Sequence, residues 1–510
     1  MSTSRRDFLK FVVAGSVAAG CPVDLALLAA PEEPEPQIEG DHFEICHEVR
    51  DGHTFAKPPV SKRYEVVIVG GGASGLSAAH FLQSHDFLLL EKEPHWGGNA
   101  TLEESHGQFF CTGSAFDYKG SSSDRLAREI GLMPLPINSP DPTIINGKWV
   151  GDTWGAGLDQ LPYSATVRDS FKKFRSDMLA LAADKNQRQF DTVPLTKYLK
   201  AYAPEIKQWW DCYGPSNYGA KAVDTSTMVA LIELKDQVDA SKNDTRVTLP
   251  GGNGVFVQKL SEILLAKFAD RMLADATILS VDPQKTEVNV TYIHGGALRT
   301  VAAKFVVMGT PKLITSRLVT GLSDDQTDAM RSYRYCPYAV INMIFDKPVY
   351  NRAYDTWCPG STFTDMIVAD WVNLAQPDHK QKDSILSFYT PISELDRNKL
   401  LKIEGCRKIA ANAVRDFHKL LPELSDEPSE VHFYRRGHAI FLSTPGLYSQ
   451  TIPAANRPLE RVVFANTDSI GPESVLTGAV QASRRASQWI ENRMAGATLS
   501  AANAAAGFAK

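Results

Sequence analysis

The chain has 510 residues and 56.0 kDa, about three times a common domain length, so two or three cooperating domains are expected rather than one core. Hydrophobic residues make up 43% and charged residues 22%, which excludes wholesale disorder and a polytopic membrane protein. With 54 Lys and Arg against 59 Asp and Glu, a net charge of −5 lacks the basic footprint of a nucleic-acid binder, and a small molecule is the expected partner.

Residues 1–30 read as an export signal. Ser4-Arg5-Arg6-Asp7-Phe8-Leu9-Lys10 precedes a weakly apolar run over 11–20, and the paired arginines resemble a twin-arginine signal. That run is shorter than the ~20 residues a bilayer crossing requires, and no later segment is long and uncharged enough, so no transmembrane span is expected. The signal implies the twin-arginine translocase as a partner, a tightly held cofactor inserted before transport, and a periplasmic or other extracytoplasmic location. Two processing outcomes stay open. Ala18-Ala19-Gly20-Cys21 is a loose lipobox that would anchor a lipid at Cys21, whereas Leu28-Ala29-Ala30 before Pro31 offers an ordinary cleavage site. Residues 31–60, which begin rich in Pro and Glu, read as a linker. The cysteines at 21, 46, 111, 212, 336, 358 and 406 lack metal-ligand spacing, so no metal site is expected; buried free thiols are the simple reading, with one late disulfide left open.

Tyr64-Glu65-Val66-Val67-Ile68-Val69 predicts a buried strand, residues 76–82 predict a helix, and Gly70-Gly71-Gly72-Ala73-Ser74-Gly75 forms the turn between them. In a dinucleotide fingerprint, Gly70 permits the tight turn, Gly72 lets a pyrophosphate approach the backbone, and Gly75 lets helix and strand pack closely. Ala73 and Ser74 open the helix whose N-terminus faces phosphate charge. A second apolar run, Phe87-Leu88-Leu89-Leu90, ends in Glu91, about twenty residues after the first glycine, where a carboxylate binds ribose hydroxyls.

The choice between NAD and FAD rests on a resemblance. Glu91-Lys92-Glu93-Pro94-His95-Trp96-Gly97-Gly98-Asn99 resembles the second glycine pair of the flavin-containing amine oxidoreductases, the superfamily of monoamine oxidases, protoporphyrinogen oxidases and phytoene-type desaturases. This implies that Lys92, Gly97, Gly98 and Asn99 lie along the FAD diphosphate and flavin, that Gly113 and Ser114 form a step below the flavin, and that Ile278 lies beside adenine. Residues 249–254 and 306–311 continue the match. The closing block, 461–468 followed by Gly478-Ala479-Val480, implies Asp468 near ribityl or phosphate groups and a helix opening at Gly478, Ala479 and Val480 toward the flavin ring. The positive end of such a helix would stabilise a reduced, anionic flavin. No second G-x-G-x-x-G occurs mid-chain, so electrons are expected to enter from an organic substrate and leave to oxygen, a quinone or a periplasmic carrier.

The substrate side departs from monoamine oxidases. Their active-site lysine aligns with Asn342, their two sandwiching tyrosines with Ala439 and Val475, and their flavin-linking cysteine with His438, so FAD is expected to be non-covalent, with a histidyl linkage left open. The catalytic candidates are Asn342 and His438. His438 lies in Arg435-Arg436-Gly437-His438-Ala439, where an imidazole could accept a proton or could simply be buried and bonded to backbone. Phe171, Phe174, Met178, Leu179 and Leu181 follow a helical period; the aromatics Tyr198, Tyr202, Trp209, Trp210, Tyr213 and Tyr218 read mainly as core, with a pocket lining as the alternative. The 46–52 stretch, the Arg-x-Gly-His-Ala segment and 465–468 resemble exported bacterial flavoproteins of the spermidine dehydrogenase type.

The fold class expected is α/β, with a Rossmann-type FAD-binding domain assembled from residues 61–120, 246–324 and 441–495. An inserted α+β substrate domain would use a helical part, 121–245, and a second part, 325–440, and residues 496–510 read as a disordered tail. The function expected is oxidation of an organic substrate by hydride transfer to FAD, with an amine, and among amines a polyamine, as leading candidate. The alternatives are a desaturase or dehydrogenase acting on C–C or C–O bonds of an apolar substrate, and a non-catalytic FAD-binding module.

Overall fold

Two sheets divide the work of the chain, and both are visible in the computed structural model, which describes residues 34–374, 381–471 and 475–508. The twin-arginine stretch, Cys21 and the cleavage candidates lie outside the described residues. In the first sheet the Val60–Val69 strand is central, flanked in parallel by Phe87–Leu90 and by Ala297–Met308. Val66, Val67, Ile68 and Val69 are wholly buried, each contributing roughly 1.5–3 kcal/mol of transfer free energy. Val288–His294 and Ala276–Pro283 extend that sheet antiparallel, and Val462–Phe464 pairs in parallel with Ala297–Met308. The Ala73–Phe81 helix leaves the central strand through the glycine turn and packs against the C-terminal Leu476–Met494 helix, where Ser483 Oγ donates to the Ser74 carbonyl at 2.6 Å. The doubly connected, largely parallel core matches the α/β class that the sequence predicts.

The second sheet has eight strands, with Tyr335–Phe345 and Glu430–Phe441 as a long antiparallel pair near its centre. Its far side continues through Ser384–Pro391, Asp365–Val368 and Asp355–Trp357 to Thr143–Ile145 and Lys148–Val150. Its near edge is Gln37–Glu39, parallel to Glu430–Phe441. Residues 31–60 are therefore more than a linker: 37–39 complete the sheet, and a Glu44–Arg50 helix follows. The long pair carries a defect. Cys336 faces Ile440 and Tyr338 faces Arg436, so Pro337 stands opposite Gly437, His438 and Ala439. The Pro337 carbonyl turns the other way, accepting from Ile392 N at 2.8 Å, and the Glu430–Phe441 strand bulges there with three residues against one.

The first insertion is helical. Phe171, Phe174 and Met178 of Ala165–Ala182 are buried together with Trp209, Trp210, Tyr213 and Tyr218 of Pro204–Tyr218. Trp209 stacks on Tyr213 at 4.6 Å and Trp210 meets Tyr213 edge-on at 5.9 Å, so the aromatic cluster is core and contributes nothing to the main cavity. Two boundaries shift. Residues 443–449 join this helical part, with Asp191 accepting from Ser449 N at 2.8 Å and Ser443 O accepting from Ser226 N at 2.8 Å. Residues 496–508, expected as part of a disordered tail, are ordered: Leu499–Ala505 is a helix capped by Thr498, with its Ala502 and the following Phe508 buried, anchored by Trp489 Nε1 donating to Asn503 at 2.8 Å. The six described cysteines are free, five of them buried.

Candidate cofactor and active site

A cavity of about 740 Å³ runs from the glycine turn to the bulge at His438. Its first wall is nearly all backbone. Gly70 takes φ +99°, and a Cβ on Gly75 would sit 1.7 Å from the Gly70 carbonyl oxygen, so helix and strand can meet only without it. Gly72 bridges Gly97 and faces Gly98, which takes φ +60°; the two glycine pairs form a shallow cradle that side chains would fill. Gly72, Ala73 and Ser74 line the cavity at the start of their helix, the position in which backbone N–H groups receive a diphosphate. Glu91 lines it too, and its carboxylate accepts from Gly71 N at 2.5 Å and Glu93 N at 2.8 Å, which fixes the turn; burial raises its carboxyl above the ordinary range. Lys92, Gly97, Gly98, Asn99, Ser114 and Ile278 also line this side of the cavity.

Four expected contacts are corrected. Asp468 does not face the cavity: it is fully buried, accepting from the Lys312 backbone N at 2.7 Å, Lys312 Nζ at 2.8 Å and the Tyr335 hydroxyl at 2.6 Å. The residues that line the cavity from that turn are Asn466 and Thr467. The closing helix begins at Leu476 rather than Gly478, and its Leu476 and Ala479 side lines the cavity, which turns Gly478 and Val480 into the core. Gly113 also packs rather than lines, because a Cβ there would lie 2.0 Å from the Asn99 carbonyl, and its own carbonyl accepts from Tyr389. Gly75 acts through packing, the role its place in the fingerprint gives it.

The second wall is made of side chains. The bulge opposite Pro337 places Arg436, Gly437, His438 and Ala439 on the cavity, and Asn99 Nδ2 donates to the Ala439 carbonyl at 3.1 Å, joining both walls. His438 meets the Tyr335 ring edge-on at 5.9 Å. Burial depresses the His438 imidazole to about 4, with Arg397, Arg317 and His47 adding to the effect and Asp41 opposing it, so the ring is neutral at neutral pH. Tyr335 in turn is buried, its hydroxyl pushed up by desolvation and by Asp468, and ends in the Lys312–Asp468 pair behind the cavity. Asn342 is not part of this arrangement. It lies farther along the same strand, fully buried, accepting a hydrogen bond from Ser387, and the strand reaches the cavity at Tyr335 instead.

Tyr335, Arg397, Arg317 and the 41–50 strap are among the lining residues that sequence reasoning left out. A signal for the strap existed: Phe43, Cys46 and Val49 recur every three residues, and all three line the cavity. The strap is fastened to both walls, with Gly437 N donating to Asp41 Oδ2 at 2.7 Å and His42 and Lys92 bonded to Glu93. Against the cost of burial, Lys92 and His42 hold the Glu93 carboxyl down to about 2. Among the described residues no group of His, Cys, Asp and Glu side chains could hold a metal ion.

These features define a dinucleotide-binding α/β fold with a side-chain-lined cavity beside the cradle. The sequence signature of flavin containing amine oxidoreductases matches residues 73–490, and the chain belongs to that family. It is 22% identical over 496 residues to oxidoreductase PigB of Serratia sp. (strain ATCC 39006), covering 81% of this chain and 73% of that protein. It is 21% identical over 467 residues to the flavin-containing amine oxidase A of Equus caballus, covering 84% and 85%. Among solved structures, putrescine-bound wild-type putrescine oxidase superposes with a TM-score of 0.66 at 17% identity over 85% of this chain and 99% of that one. Cyclohexylamine oxidase from Brevibacterium oxydans superposes with a TM-score of 0.68, also at 17% identity, over 85% and 99%. The chain is an FAD-dependent oxidoreductase; FAD is non-covalent in most of the family, and the glycine cradle and buried Glu91 fit its ADP half.

Proposed function

We propose that this enzyme is exported by the twin-arginine route and oxidises an amine, with a polyamine as leading candidate. The observation that carries the reading is one cavity that joins the nucleotide cradle to a buried, neutral imidazole. Structural neighbours that are a putrescine oxidase and a cyclohexylamine oxidase support the substrate class. When bound, FAD supplies the hydride acceptor for the C–H bond next to nitrogen. The chain's own residues prepare the amine. An ammonium beside His438 would meet the same burial and the same Arg397 and Arg317 charges that depress the ring, so the amine binds neutral, its proton left in solvent, and the neutral His438 ring gives it a hydrogen-bond partner. Tyr335, fixed by Asp468, holds the imidazole edge in place. Leu313, Ile314 and Leu400 exclude water from this end, and hydrolysis of the imine product follows in solvent.

A second reading, dehydrogenation of a C–C or C–O bond, is favoured by those apolar walls and by Ala439 and Val475 lining the cavity without tyrosine rings. Anaerobic mixing of purified yellow enzyme with diamines and polyamines, then with alcohols and isoprenoids, decides between them. Rapid bleaching by an amine alone supports the first reading; bleaching only by an alcohol or alkene precursor overturns it. Reoxidation of the bleached enzyme by oxygen, a quinone or a periplasmic carrier identifies the acceptor. Retention in the cytoplasm on replacing Arg5 and Arg6 by Lys tests export.

A further inference from the structure

Four of the seven exposed large hydrophobic side chains among the described residues lie on one face beside the cavity mouth: Leu395, 92% exposed, with Leu401, Ile403 and Val223. Leu395 and Leu401 belong to the Glu394–Leu401 turn that lines the cavity, and Ile403 begins the next helix. Val223 joins them through Arg334, which bonds Asp224 at 2.6 Å and Glu394 at 3.0 Å. Around these prongs Lys221, Lys399, Lys402, Arg407 and Lys408 are exposed, against the exposed Glu404, while Asp396 is neutralised by Lys399 at 2.9 Å. The chain as a whole carries −5, so this cationic rim is local. A protruding leucine costs solvation free energy unless something covers it, and apolar prongs ringed by lysines match the boundary between acyl chains and anionic headgroups.

We propose that this face docks on an anionic phospholipid bilayer, with Leu395, Leu401, Ile403 and Val223 entering the headgroup boundary and the lysines meeting phosphate. Among the described residues no helix is long and apolar enough to cross a membrane, so the contact is peripheral. The cavity then opens at the lipid surface, and a reaction partner dissolved in the bilayer reaches it past Leu395 and Leu401 without passing through bulk water. The proposal does not depend on the substrate being an amine.

Flotation of the full-length, FAD-loaded protein with phosphatidylcholine vesicles and with phosphatidylcholine–phosphatidylglycerol vesicles tests it. Binding to the anionic vesicles is expected, and it falls roughly tenfold in Leu395→Asp/Ile403→Asp and, with a weaker salt dependence, in Lys399→Ser/Lys402→Ser. Val223→Asp, away from the cavity wall, supplies an independent apolar probe should the Leu395 variant fold poorly. Wild-type protein that ignores anionic vesicles overturns the proposal. So does binding that all these variants leave unchanged, which would assign it to the apolar run over 11–20. A wild-type dimer that Leu395→Asp dissolves, with no vesicle binding, would make the face a contact between copies and equally refute the lipid assignment.

Discussion

The two walls of the cavity are built by different physics. On the nucleotide side, the chain removes side chains, and Gly70, Gly72, Gly75, Gly97 and Gly98 let backbone approach backbone and ligand. On the substrate side, charged and aromatic side chains project from a defect in a sheet, and their character is set by burial and by one another. The glycine cradle of the first wall is specified locally between Gly70 and Asn99, with Ser114 and Ile278 added from farther along the chain; the second is assembled from the strap, the 312–335 segment, the 394–401 turn and the 435–439 bulge. Substitutions on the first wall should therefore abolish binding, whereas those on the second should alter chemistry while FAD remains.

The most severe test of that contrast is Gly75→Val. Its Cβ would occupy the Gly70 carbonyl, so the protein is expected colourless, with FAD affinity lowered more than about a hundredfold and stability lowered by about 3 kcal/mol, read from flavin absorbance and thermal melting. Next is Lys312→Met, which leaves Asp468 charged and buried under the seam between the walls. It should cost about 3–5 kcal/mol, and adding Asp468→Asn should restore much of that loss in chemical denaturation. His438→Ala should slow anaerobic flavin reduction by roughly 10–100-fold while the protein stays yellow. Because the acting form of His438 is neutral and titrates near 4, kcat/KM should lose activity only as pH falls toward that value; Arg397→Gln removes a neighbouring positive charge and should move the acid limb upward. The smallest effect belongs to the strap. Glu93, depressed in the folded state, contributes stability that is complete above its ordinary value of 4.5 and is lost as pH falls toward about 2. Glu93→Gln should thus speed FAD loss at neutral pH by a few-fold and remove part of the acid sensitivity, measured by release of flavin fluorescence.

The nucleotide wall could be read in the sequence because its elements are consecutive: strand, glycine turn, helix, second strand and Glu91 follow one another without a long-range decision. Lys92, Asn99 and Ile278 came only through the family resemblance, and all three line the cavity. Where the reading failed, tertiary pairing had decided the outcome. The rotational setting of the closing helix puts Leu476 and Ala479 forward instead of Gly478 and Val480, and only its packing on the Ala73–Phe81 helix determines that. The family resemblance implied Asp468 as a ligand contact; its partner Lys312 lies 156 residues earlier, and no local pattern couples them. Asn342 was misplaced because strand alignment does not say which end of a long, wholly buried strand meets the cavity. The strap was hidden by the proline-rich stretch before it, although its apolar period was present.

His438 owes its position to surplus chain. Gly437, His438 and Ala439 stand against Pro337 alone, so the Glu430–Phe441 strand swells away from its partner there and sets an imidazole on the cavity. Deleting two of those three residues would restore one-to-one pairing and carry the ring back into the regular alternation of the sheet. In this enzyme two extra residues in a strand serve as the mounting for a reactive group, so the chemistry depends on the register of a sheet as much as on the identity of the side chain.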